Sequence, residues 1–118
     1  MKTKNLLAYF VAFGASATIL LANIPIKSGD KVAFLGDSIT AGGYGKAGGY
    51  VQLIGAGLAT NGVTVELIGA GISGHKSDQM LERLDRDVLK KNPQWMTLSS
   101  GVNDVWHGDK GIALPGYQ

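Results

Sequence analysis

The feature that most constrains this chain is the order of its apolar patterns. Three short apolar runs alternate with two stretches of helical periodicity, which reads as β-α-β-α-β. Lys31-Val32-Ala33-Phe34-Leu35 is a buried strand that stops at Gly36. Tyr50 to Thr60 is a helix, with Tyr50, Val51, Ile54 and Leu58 at helical spacing. Gly55 and Gly57 weaken it by about 1 kcal/mol each against Ala, and Asn61-Gly62 ends it. Val63 to Ile68 is the second strand, and Gly69 to Lys76 a loop. Ser77 is the expected N-cap of a second helix. Asp78 and Glu82 lie early in that helix and Lys90 and Lys91 late, as the helix dipole favours. Met80, Leu81, Leu84 and Val88 form its apolar stripe. Asn92-Pro93 stops it, and Gln94 to Ser99 is the third strand. Ala41 to Gly49, with five glycines, reads as a loop, and no element is expected from Val102 onward.

Strands joined by helices pair in parallel through right-handed crossovers. The expected class is therefore α/β, a flavodoxin-like three-layer α/β/α arrangement with strand order 2-1-3. Ligands bind such sheets at the switch point, beyond the C-terminal ends of neighbouring strands. Here that region would receive the loops after Leu35 and after Ser99.

The N-terminus carries a different signal. Lys2 and Lys4 precede an uncharged stretch from Asn5 to Ile26, and Ala15-Ser16-Ala17 is a small-x-small cleavage site. Residues 1–22 read as a secretory signal peptide. The alternative is an uncleaved anchor, since a span needs about 20 apolar residues. Both readings export the remainder, and membrane association is expected only if the segment stays uncleaved. Residues 23–30 are a linker and 31–118 the folded region.

Charge narrows the partners. Of 11 Lys and Arg, Lys2 and Lys4 fall in the export segment, leaving 9 against 9 Asp and Glu. No basic block stands out, so nucleic acid is not an expected partner. The chain has no cysteine, which removes disulfides, thiolate metal sites and a cysteine nucleophile.

Three segments carry chemistry. Phe34-Leu35-Gly36-Asp37-Ser38-Ile39-Thr40 follows the first strand, Gly71-Ile72-Ser73-Gly74 the second, and Gly101-Val102-Asn103-Asp104 the third. Taken singly, Ser38 could cap a helix, Asp37 could be a turn residue, and Asn103-Asp104 could be plain turn chemistry. Together and in this order they resemble the three N-terminal blocks of the SGNH (GDSL-type) hydrolase family, over roughly residues 31 to 107. The resemblance implies a serine esterase with Ser38 as nucleophile. It implies an oxyanion hole from the Ser38 and Gly74 backbone N–H groups and the Asn103 side-chain amide. A serine hydroxyl needs a base to attack an ester, and the charge on the carbonyl oxygen needs preorganised donors.

The family's base lies in an Asp-x-x-His block after later strands. His75 does not fit it, because Ile72 stands three residues earlier. Asp104-Val105-Trp106-His107 fits in letters but overlaps the third block. The resemblance thus implies that only the first three of about five strands are present, with the C-terminal strands and helices missing. Such a piece is expected to be inactive alone. Tyr44 in the glycine-rich loop and Trp106-His107 are expected to shape the cleft. The substrate is a small-molecule, carbohydrate or lipid ester, and nothing in the sequence selects among these. No cofactor and no metal are expected.

Other classes compete. Gly69-Ala70-Gly71-Ile72-Ser73-Gly74 matches the dinucleotide fingerprint G-x-G-x-x-G, but the next helix begins only near Ser77. No acidic residue ends the next strand to meet a ribose. A P-loop fails because Ala47 follows Gly45-Lys46 and Thr40 stands where a glycine is required. Asp37, Asp104 and His107 are too scattered to form a metal signature. A non-catalytic carbohydrate-binding or interaction remnant of the same scaffold is the remaining alternative.

Overall fold

The computed structural model describes residues 25–113. The predicted export segment and the first two linker residues lie outside this range. A parallel three-stranded sheet is built from β1 (Lys31–Gly36), β2 (Glu66–Gly71) and β3 (Trp95–Leu98) in the order β2-β1-β3. The register sets Lys31 opposite Glu66 on one side and Val32 opposite Trp95 on the other. The expected α/β class and 2-1-3 order are both present.

The alternation of side chains along a strand divides β1 between two cores. Val32 and Phe34 pack with Val51 on one face. Ala33 and Leu35 pack with Ile68, Ala70, Met80 and Val88 on the other. The first core lies under α1 (Ser38–Gly45) and α2 (Tyr50–Thr60), the second under α3 (Ser77–Asp87). The three layers follow directly from this split. The Phe34 and Tyr50 rings meet edge to face, with centroids 6.1 Å apart.

The glycine-rich stretch after β1 departs from the expected loop: most of it is α1. Asp37 caps this helix, its Oδ1 accepting from Ile39 N–H at 2.9 Å. Tertiary packing overrides the poor propensity of Gly42 and Gly43, since a side chain at Gly43 would collide with the Tyr50 ring. The Thr40 hydroxyl, fully buried, shares a 2.9 Å hydrogen bond with the Tyr50 hydroxyl. The second strand lies three residues later than expected. Val63 to Val65 instead complete the α2 exit, with Val63 N–H bonded to Leu58 O and Thr64 to Ser28.

That shift explains the G-x-G-x-x-G letters. Leu67, Gly69 and Gly71 alternate along β2, and each faces the α1–α2 side. A Cβ at Gly69 would meet the Tyr44 ring, and one at Gly71 the backbone of Ala41. These glycines let α1 lie against the sheet; they do not open a helix onto a phosphate. Tyr44 accordingly packs on β2, which differs from the cleft position expected of it. Two further boundaries differ. The N-cap of α3 is Lys76, one residue before Ser77. Val102–Trp106 forms a short helix, α4, where no element was expected.

Candidate active site

β1 delivers Ser38 to the C-terminal edge of the sheet as the first residue of α1, with its side chain exposed. The first N–H groups of a helix have no carbonyl one turn back. Asp37 takes the one from Ile39, so the Ser38 N–H remains a donor at the helix start.

After β2 the chain turns at Ile72 to His75, closed by a 3.3 Å bond from His75 N–H to Ile72 O. Gly74 sits third in this turn with φ +79°, the backbone state a type II turn demands there. No atom outside its neighbours lies within 4 Å of a Cβ built at Gly74, so the space where a side chain would stand is open. Ile72 N–H bonds Gly36 O at 3.1 Å, which holds this loop against the end of β1.

After β3, Gly101 at φ +116° turns the chain into α4, which carries Asn103 and Asp104. Asn103 Nδ2 donates to His75 O at 3.0 Å. An amide nitrogen has two hydrogens, and this bond uses one. Asp104 is buried and its Oδ1 accepts from Ser77 N–H at 3.0 Å and Ser77 Oγ–H at 2.7 Å. A carboxylate thus sits on the positive end of α3. The structure therefore joins the Gly74 loop to Asn103 through His75, and both border the strand ends beside β1.

The histidines among the described residues do not complete a triad. No hydrogen bond in this range joins Ser38 to His75 or His107. His75 Nδ1 accepts from Arg83 Nε–H at 3.1 Å. His107 closes α4 and is exposed, as is Trp106 at 82%. No group of three or more candidate metal ligands occurs among the described residues.

Arg83 escaped the sequence reading. It is 3% exposed and donates to Ala70 O and Gly36 O, both at 2.8 Å. Asp87, one turn later, balances its charge at 3.2 Å. The Asp87 carboxyl is lowered to about 2, chiefly by its hydrogen bond from Arg86 and then by that from Arg83. The signal lay in α3's own periodicity. Position 83 falls beside Met80 and Leu84 on the apolar stripe, where a cation needs a buried partner.

A doubly wound parallel sheet with three polar loops gathered at its switch point defines the class of protein. The family model for GDSL-like lipases and acylhydrolases matches residues 34–115. The chain belongs to this family. It is 35% identical over 95 residues to an acetylxylan esterase of Geobacillus stearothermophilus, covering 69% of this chain and 42% of that protein. The crystal structure of the acetyl xylan esterase AlAXEase matches with a TM-score of 0.63 at 49% identity, over 69% of this chain and 43% of that one. Axe2, an acetylxylan esterase from Geobacillus stearothermophilus, matches at 0.68 and 31% identity, over 78% and 51%. The chain spans about half the length of these relatives.

Proposed function

We propose that this chain carries the nucleophile and oxyanion half of an exported esterase that cleaves carboxylic esters, acetyl esters of sugars foremost. The observation that carries this reading is the junction at His75. Its carbonyl binds the Asn103 amide beside the Gly74 turn, at the sheet edge where α1 begins with Ser38. The acetylxylan esterases it resembles supply the substrate class.

In this reading Ser38 Oγ attacks the ester carbonyl while a histidine base of the complete protein takes its proton. The charge that develops on the carbonyl oxygen meets three donors: Ser38 N–H, Gly74 N–H and the second hydrogen of Asn103 Nδ2. Collapse expels the alcohol, which receives the proton, and leaves Ser38 acylated. Water then repeats the sequence and releases the acid. No cofactor takes part. The N-terminal segment directs export, and determining the N-terminus of the protein from its native source tests this: a mature chain that begins at Met1 and stays in the cytoplasm overturns it.

The complete protein is expected to hydrolyse p-nitrophenyl acetate and to release acetate from acetylated xylan. Ser38→Ala removes the nucleophile, with an expected loss in kcat on the order of 10⁶-fold. Asn103→Ala removes one oxyanion donor, with an expected loss of roughly 10²–10³-fold. Turnover that survives Ser38→Ala sinks the proposal. A complete protein that binds acetylated xylan without cleaving it favours the second reading, a carbohydrate-binding remnant. That reading draws on the lack, among the described residues, of a histidine bonded to Ser38.

A further inference from the structure

Arg83 makes more of the site's geometry than any residue that would touch the substrate. Its planar guanidinium carries five N–H donors in a fixed fork. Nη2 binds Gly36 O, the last carbonyl of β1, two residues before Ser38. Nη1 binds Ala70 O near the end of β2 and also Asp87 Oδ2. Nε binds His75 Nδ1 at 3.1 Å. One buried cation therefore touches both strand ends and the loop that follows the second.

His75 is where these contacts converge. Its ring accepts from Arg83, so Nδ1 is unprotonated and the proton sits on Nε2. Its N–H closes the turn that gives Gly74 its φ of +79°. Its carbonyl receives Asn103 Nδ2. Two of the three proposed oxyanion donors thus depend on a single residue, one through the turn that its N–H closes and one by a hydrogen bond. We infer that Arg83 is a positioning residue for the oxyanion hole, acting through the His75 ring, which it holds while fixing the ends of β1 and β2. The inference rests on the esterase reading above.

The chemistry distinguishes this from a general brace. Lysine at 83 would keep the charge but lose the fork, since one ammonium is a point charge that cannot match four acceptors arranged around a plane. At 75, asparagine offers Oδ1 at about the place of Nδ1 and keeps the acceptor. Leucine fills similar space and offers none. His75 is only partly buried, so its variants are expected to fold.

The test compares His75→Leu, His75→Asn and Arg83→Lys in the complete protein, with p-nitrophenyl acetate as substrate. A donor displaced by about 1 Å costs up to roughly 10²-fold. His75→Leu and Arg83→Lys should therefore lower kcat roughly 10- to 100-fold with KM within about twofold. His75→Asn should restore most of the lost kcat. A ¹⁵N spectrum should show the His75 Nε2–H tautomer in the parent and its loss of preference in Arg83→Lys. If the parent turns over and His75→Leu matches its kcat, this inference falls and the esterase reading stands. If the parent itself does not hydrolyse the ester, both fall together.

Discussion

Strands β2 and β3 hold equivalent places, each hydrogen-bonded on one side to β1, yet their environments differ sharply. On β2, Ile68 and Ala70 are buried beneath α3, and Gly69 and Gly71 press against α1. On β3 all four residues are exposed, Leu98 at 61%. An apolar groove of about 210 Å³ between α3 and β3 is lined by Leu35, Met80, Leu81, Leu84, Met96 and Leu98. The loop after β3 is nonetheless well held. Asp104 binds Ser77 at the start of α3, and Asn103 binds His75. The packed side of the sheet thus anchors the less covered side through polar contacts made beyond the strand end. A site can be fixed from one flank while the strand beneath it carries little buried apolar area of its own.

A substitution series puts this asymmetry on a scale, read by urea denaturation of the chain. Met80→Ala empties a fully enclosed position and is expected to cost about 2–5 kcal/mol. Asp104→Ala removes the cap on α3 and the tether of α4, with an expected cost of about 1–3 kcal/mol. Leu98→Ala, on an exposed position, should stay within about 0.5 kcal/mol. A Leu98→Ala cost equal to that of Met80→Ala would break the comparison, because β3 would then be packed in solution. If Leu98→Ala is costly only in a longer protein, further chain covers the groove.

The smallest effect concerns acid. The folded carboxyl of Asp87 is lowered to about 2 by Arg86 and Arg83, below the ordinary value of about 3.9. Its stabilisation is complete above the unfolded value and fades as pH falls toward 2. Asp87→Asn should therefore flatten the loss of stability between about pH 4 and 2, while leaving the β3 side untouched. An unchanged acid limb in the variant would assign that loss to other carboxylates.

Much of this is legible in the sequence. The spacing of apolar residues gave α2 its bounds, Tyr50–Thr60, and the β-α-β-α-β order implied the parallel 2-1-3 sheet. Ser38, Gly74 and Asn103 each stood after a strand in the sequence and follow one in the structure. Local propensity misled where tertiary packing decides. Gly42 and Gly43 read as loop residues, yet α1 runs through both, and at Gly43 only glycine leaves room for the Tyr50 ring. Val63 to Val65 read as strand by their β-branched side chains, but β2 begins only where Glu66 meets Lys31. Arg83 was passed over because its meaning depends on carbonyls from two strands that the sequence does not bring together. The capping of α3 by Asp104 was hidden for the same reason, since 27 positions separate it from Ser77.

The central place of β1 has a consequence for the order of assembly. It is the first strand of the sheet in the chain, and it waits for both of its partners. On one edge Lys31 pairs with Glu66 and Val32 with Leu67; on the other Val32 pairs with the still later Trp95. Closing such long loops costs chain entropy before any contact repays it, which slows folding of parallel sheets. The His75–Asn103 junction cannot form until α4 has followed β3 into place. The proposed oxyanion geometry is therefore among the last features to mature. Until then the nascent chain presents β1 with one edge unpaired, the interval in which a folding helper has most to protect.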